Sequence, residues 1–157
     1  MFDIGDKIFY PMHGAGIIIG IEENKILGEI HKYYVLQLPI KDMKVMLPIS
    51  KTEIIGIRRI ISEDAANETI NFFHQYDETC NDNWNKRYRE NIEKIKSSDL
   101  KDVASVVKTL FIREKEKSLS SVERKMLVNA KNILISELVL SKKSTYDEIE
   151  GLLALNF

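Results

Sequence analysis

The apolar positions change period near residue 61. Before it they come as short runs: Lys7-Ile8-Phe9-Tyr10, stopped by Pro11; Ile17-Ile18-Ile19-Gly20-Ile21; Tyr33-Tyr34-Val35-Leu36-Gln37-Leu38; Lys44-Val45-Met46-Leu47-Pro48; and Ile54-Ile55-Gly56-Ile57. Runs rich in β-branched and aromatic residues, punctuated by glycine and proline, predict five short strands. Gly14-Ala15-Gly16 is expected to turn the chain after the first strand, and Glu23-Asn24-Lys25 after the second. Five short strands in so few residues predict a small, strongly bent antiparallel β-barrel of the Tudor or SH3 kind. Such a barrel keeps an open edge on which another protein's strand can pair. The run Lys44 to Leu47 is the expected edge.

After residue 61 no proline occurs and the apolar spacing becomes three to four. Ser62 predicts the N-cap of a helix reaching about Glu78, with Ala65, Ile70, Phe73 and Tyr76 inward and an acidic first turn that suits the dipole. Asn83 caps a second helix to about Lys96, with Trp84 in its first turn and Tyr88, Ile92 and Ile95 following at a helical period. Ser97-Ser98-Asp99 breaks and recaps the chain before a stripe of Leu100, Val103, Ala104, Val107, Leu110 and Phe111. Ser120-x-x-Glu123 is a capping box that opens a long helix, with Val122, Met126, Leu127, Ala130, Ile133, Leu134 and Leu138 inward. Thr145-x-x-Glu148 caps a last helix, with Ile149, Leu152 and Leu153 facing the bundle. The expected architecture is α+β: a β-barrel domain over residues 1–61, then a compact all-helical domain over residues 62–157. Residues 58–62 hold no glycine or proline, which predicts a short, defined joint.

Composition sharpens this in three places. With 44% hydrophobic and 30% charged residues in 157, the chain is globular rather than disordered. The net charge of −1 does not advertise nucleic-acid binding, but the charges are unevenly placed. Between residues 61 and 83 the charges are all acidic; from 84 to 117 ten Lys and Arg face six Asp and Glu. An acidic segment followed by a basic one makes an oriented field. Cys80 is the only cysteine, so no internal disulfide forms, and its acidic neighbourhood does not favour a reactive thiolate. No signal peptide and no membrane span are expected, and the chain reads as a cytoplasmic monomer.

Catalytic chemistry is not signalled. His13, His31 and His74 stand at no metal-ligand spacing with one another or with Cys80. His13 precedes Gly14 at a turn, where a structural hydrogen bond is the expected role. No phosphate-binding glycine motif occurs, and no metal or cofactor is expected. The methionines fall on apolar stripes and are expected in the core.

The most informative stretch is Asn83-Trp84-Asn85-Lys86-Arg87-Tyr88-Arg89. An aromatic flanked by cations at a helix N-terminus suits a nucleic-acid backbone: free N–H groups and the dipole favour phosphate, and the ring can wedge or stack against bases. On these residues alone, a tryptophan that anchors its helix to a core, beside a solvated basic face, is the leading reading.

Phe2, Gly5-Asp6, Tyr10-Pro11, His13-Gly14, Gly16, Gly28, Tyr34, Pro48 and Gly56-Ile57-Arg58 resemble the N-terminal RNA-polymerase-interacting domain of the CarD/CdnL transcription regulators. A similar domain occurs in the bacterial transcription-repair coupling factor. Asn83-Trp84-x-x-Arg87-Tyr88-Arg89, Ala104-x-Val106-Val107-x-x-Leu110, Leu119-Ser120 and Glu123-x-x-Met126-Leu127-x-x-Ala130 resemble the helical half of the same family. The resemblance implies a non-enzymatic regulator whose barrel docks on the β subunit of RNA polymerase. It implies that the helical half meets promoter DNA at the upstream edge of the bubble and stabilises the open complex. Trp84 would enter the minor groove, while Lys86, Arg87 and Arg89 hold phosphates. The polymerase-facing set would be Asn24, Lys44, Val45, Met46 and Leu47. Relatives often carry basic residues on that face, where this chain has Asn24 and Met46. A Tudor-like interaction adaptor without a DNA role is the alternative.

Overall fold

The computed structural model describes residues 1–77 and 82–155. Its first half is a five-stranded antiparallel sheet: β1 (Lys7–Tyr10), β2 (Gly14–Ile26), β3 (Glu29–Leu38), β4 (Met43–Pro48) and β5 (Arg58–Arg59), in the spatial order β4-β3-β2-β1-β5. Its second half is helical: α2 (Glu63–Gln75), α3 (Trp84–Lys96), α4 (Leu100–Lys117), α5 (Ser121–Lys142) and α6 (Tyr146–Leu152). A one-turn helix, α1 (Thr52–Ile55), lies between β4 and β5.

Three segments of the β half differ from expectation. The chain does not turn at Glu23-Asn24-Lys25: β2 and β3 pair on to Ile26↔Glu29, leaving Leu27-Gly28 as a two-residue turn. Both turn residues have positive φ (51° and 85°), the geometry whose twist matches a hairpin. Asn24 therefore sits in a ladder opposite His31. Ile54-Ile55-Gly56-Ile57 is not a strand. Gly56, at φ 88°, closes α1 by donating to the Thr52 and Glu53 carbonyls, and the strand comes later, at β5. Gly14-Ala15-Gly16 opens β2 rather than turning; the turn lies just before it, where the His13 N–H donates to the Tyr10 carbonyl at 2.9 Å.

The caps fall where polar side chains precede apolar stripes. Ser62, Asn83, Asp99, Ser120 and Thr145 each accept a hydrogen bond from a backbone N–H in the first turn of α2, α3, α4, α5 and α6. The expected end of the first long helix at Glu78 falls outside the described residues; α2 stops at Gln75. Several inward assignments shift. On α2 the fully buried positions are Ala66, Thr69, Ile70 and Phe73 rather than Ala65 and Tyr76. Val122 and Leu152 are exposed, because each lies a step to the side of its helix's contact stripe. Among the methionines, Met126 is buried, whereas Met12, Met43 and Met46 are exposed. The last three sit on a tight turn and an edge strand, with no layer above them.

One core, of Ile8, Ile18, Tyr34, Leu36, Leu38 and Leu47, fills the curled sheet. A larger one centres on α4 and α5 and takes Phe9 and Ala15 from the strands. The halves are therefore packed together. Gly14 is required at their contact: a Cβ there would come within 2.8 Å of Ser136 Oγ on α5. The same hydroxyl accepts from the Ala15 N–H at 2.8 Å. The joint is held as closely. Arg58 grips the fully buried Glu137 with two hydrogen bonds, of 2.6 and 2.9 Å, and the Ile61 N–H donates to the same carboxylate at 2.8 Å.

Candidate nucleic-acid interface

Trp84 is the first residue of α3 and is 40% exposed. One face lies on Tyr88, with centroids 5.3 Å apart and planes 8° from parallel. Residues four apart share a helix face, so the stack is a direct product of the Trp84-x-x-x-Tyr88 spacing. The indole N–H points toward Ser120 Oγ at 3.4 Å, at the long end of hydrogen bonding. Asn83 caps the helix by accepting from the Lys86 N–H at 3.1 Å. The ring is thus held at the positive end of α3 with its other face toward solvent.

Lys86 and Arg89 are exposed and have no ion-pair partner among the described residues. They line a shallow groove with Tyr88, Ile92 and Lys96, in which Glu90 and Glu93 also lie. The carboxylates temper the field of the groove. The basic count from residue 84 to 117 also overstates what a phosphate would meet. Arg113 and Lys117 sit within 4 Å of Asp82, at 3.6 and 3.7 Å. Lys108 and Lys115 lie over the rings of Phe73 and Phe111.

Arg87 does not belong to this surface. It is 3% exposed, and its guanidinium holds Glu123 on α5 through Nε at 2.7 Å and Nη2 at 3.1 Å. Nη1 donates to the Asp82 carbonyl at 3.2 Å. Reaching a phosphate would strip Glu123 of its partner inside the protein, so Arg87 is corrected from phosphate contact to internal clamp. The reason lies in helix geometry: Arg87, Asn91 and Ile95 form the buried face of α3, while Lys86 and Arg89 flank it. Glu123 shows the consequence electrostatically. The hydrogen bond from Arg87 holds its carboxyl below the ordinary 4.5, against the desolvation that would raise it.

The β-half residues separate in the same way. β4 is an edge strand, with β3 on one side only. Lys44 and Met46 are exposed on it, but Leu47 is fully buried and Val45 packs on the barrel core. Leu47 is therefore corrected from a surface contact to a core residue, as strand alternation demands. Asn24 is exposed on the β2–β3 arm. On β2, with β3 between them and the β4 edge, Ile19 and Ile21 are also exposed, Ile19 at a bulge between Ile18 and Gly20.

Ser120, whose chemistry in the sequence is that of a capping box with Glu123, borders the tryptophan, and Glu123 meets Arg87. Nothing in a capping pattern tells which helix its glutamate will meet. Cys80 lies outside the described residues. Among those that are described, no cluster of three or more His, Cys, Asp or Glu could hold a metal. Among the same residues no helix is long and apolar enough to cross a membrane.

Residues 2–61 match the family model described as the CarD-like/TRCF RID domain, and residues 68–154 the one described as the CarD C-terminal domain. A Bacillus subtilis (strain 168) protein named "Putative transcription factor YdeB" is 42% identical over 151 residues, which cover 96% of this chain and 99% of the relative. The 72-residue N-terminal domain of Myxococcus xanthus CarD, solved by NMR in solution, is 24% identical. It overlaps 38% of this chain and 79% of its own, with a TM-score of 0.33.

Proposed function

The chain belongs to the CarD family of transcription-associated proteins, and from that premise we propose that it bridges RNA polymerase and promoter DNA. The β half docks on the polymerase β subunit through the free edge of β4. The helical half, residues 62–157, meets the upstream edge of the transcription bubble, where Trp84 wedges into the minor groove and slows re-annealing. Lys86 and Arg89 hold phosphates and fix position without reading sequence. The observation that carries this reading is the tryptophan itself. A tryptophan left 40% exposed at a helix N-terminus, backed by a parallel tyrosine and flanked by two cations that have no ion-pair partner among the described residues, is costly as a core anchor and well formed as a wedge. Glu90 and Glu93 in the same groove weaken attraction to duplex alone, so DNA contact depends on delivery by the polymerase.

On the β side, the edge strand offers backbone groups, and its own Met43 and Met46 offer apolar surface. Docking here rests on strand addition and apolar contact more than on charge. Amide hydrogen exchange tests it: alternate β4 amides, free on the edge side, should exchange fast in the isolated protein and become protected in complex with polymerase. Equal exchange in both states sinks the strand-addition reading.

The deciding experiment for the DNA side uses one variant. Trp84→Ala should cost less than the ~3–5 kcal/mol of deleting a buried aromatic, because the ring is half in water and its main partner is one tyrosine. It should shorten the lifetime of the polymerase–promoter open complex about five- to a hundredfold, the equivalent of ~1–3 kcal/mol of lost stacking. A large fall in melting temperature with unchanged open-complex decay returns Trp84 to the core and removes the wedge.

A further inference from the structure

We infer that the buried Arg87–Glu123 pair is a positioning device for the Trp84 wedge, acting through Ser120. This rests on the wedge reading for its purpose, though not for its geometry.

Four side chains form a continuous chain of contacts. The Trp84 indole N–H faces Ser120 Oγ at 3.4 Å. Ser120 Oγ accepts from the Glu123 backbone N–H at 3.2 Å and lies 3.3 Å from Glu123 Oε1, to which it donates. Glu123 takes two hydrogen bonds from Arg87, whose third reaches back to the Asp82 carbonyl, just before the Asn83 cap. Arg87 thus fixes both the approach of the chain into α3 and the carboxylate that orients Ser120. Tyr88, the next residue, supplies the face on which the ring lies. The ring is set from below by Tyr88 and at its edge by Ser120, and the second support traces back to the ion pair.

Two further facts point to position rather than stability. Both partners are only 3% exposed. A buried ion pair is commonly no more stable than an apolar pair of the same volume, so its retention is better explained by the geometry it imposes. The Glu123 side chain is also diverted from its usual task. In a capping box it reaches back to the N-cap backbone N–H, but here it turns to Arg87 on another helix. A wedge gains from being held before it meets DNA, because ordering it on contact costs entropy.

Trp84 is the only tryptophan, so its fluorescence reports this site alone. In Glu123→Gln the steady-state anisotropy of Trp84 should fall in the free protein while the helical circular dichroism is kept. Open-complex lifetime should shorten about three- to tenfold, with polymerase affinity unchanged. In a Trp84→Ala background the same substitution should shorten it no further. Ser120→Ala leaves the ion pair intact and guards against a folding failure; it should lower the anisotropy less, in the same direction. Unchanged anisotropy in both variants overturns the positioning role, as does an equal loss of lifetime with and without Trp84. If Trp84→Ala itself leaves the lifetime intact, the wedge reading fails, and the anisotropy still decides whether the pair sets the ring.

Discussion

Helix α5 carries two buried glutamates, each gripped by an arginine from elsewhere, and the two grips do different things. Glu123 and Glu137 lie fourteen residues apart, close to two heptads, so they share one side of α5 at a spacing of about 21 Å. Glu137 is the joint between the halves: it takes Arg58 twice and the Ile61 N–H once, and Arg58 also lies over the Phe9 ring and donates to the Ser98 carbonyl. Glu123 holds the start of α3, and its network ends at a ring half in water. The first grip ties core to core. The second ties the core to a surface feature. α5 is thus a ruler with the β half fixed near one end and the tryptophan near the other. On the proposed reading, in which the chain touches polymerase and DNA together, that span needs to be constant.

The comparison breaks most directly at Glu137. Glu137→Ala leaves the Ile61 N–H and the core-facing part of the Arg58 guanidinium without their partner at the packed joint between the halves. The expected loss is ~3–5 kcal/mol, or a melting point lower by about 6–20 °C. Glu123→Ala should cost less, because the pair lies at the first turn of α5 and the start of α3, which can fray and rehydrate Arg87. Thermal melts of the two variants side by side check the ranking. Equal losses would mean that both pairs are structural to the same degree, and that the second is not specialised for the ring.

Much of this was legible in the sequence, and the exceptions have physical causes. The caps at Ser62, Asn83, Asp99, Ser120 and Thr145 were readable because a polar side chain before an apolar stripe is a local signal. The exposure of Trp84 was not legible, because a tryptophan in a first turn can equally anchor its helix to a core. Arg87 was misread because its neighbours Lys86 and Arg89 are surface cations, and only the helix phase relative to α5 separates the three. Leu47 was misread because its strand was taken whole as an interface, although alternate residues of a strand face opposite ways. The turn at Leu27-Gly28 was missed because a leucine with positive φ gives no turn signal, whereas Asn24 gives a false one. For Arg87 and the Leu27-Gly28 turn the deciding fact was a long-range contact or a backbone angle, neither of which is written in residue type; the inward face of Leu47 was open to strand alternation.

The smallest expected effect is the one most specific to the second grip. The Arg87 hydrogen bond holds the Glu123 carboxyl below its ordinary 4.5 in the folded protein. A depressed pKa means that the fold favours the ionised form, so the contribution is complete above the ordinary value and is lost as pH falls through the folded one. The gap in melting temperature between the native chain and Glu123→Gln should therefore stay level from about pH 8 to 5. It should narrow only below 4.5, as the native carboxyl takes up its proton and comes to resemble the amide. Asp6 is also held low, chiefly by the Asp3 N–H, but it is present in both proteins and cancels in the difference. Trp84 anisotropy should follow the same course in the native chain and stay flat in Glu123→Gln. A gap that closes already near neutrality, or that widens toward acid, would show that the ionised Glu123–Arg87 pair is not what holds the ring.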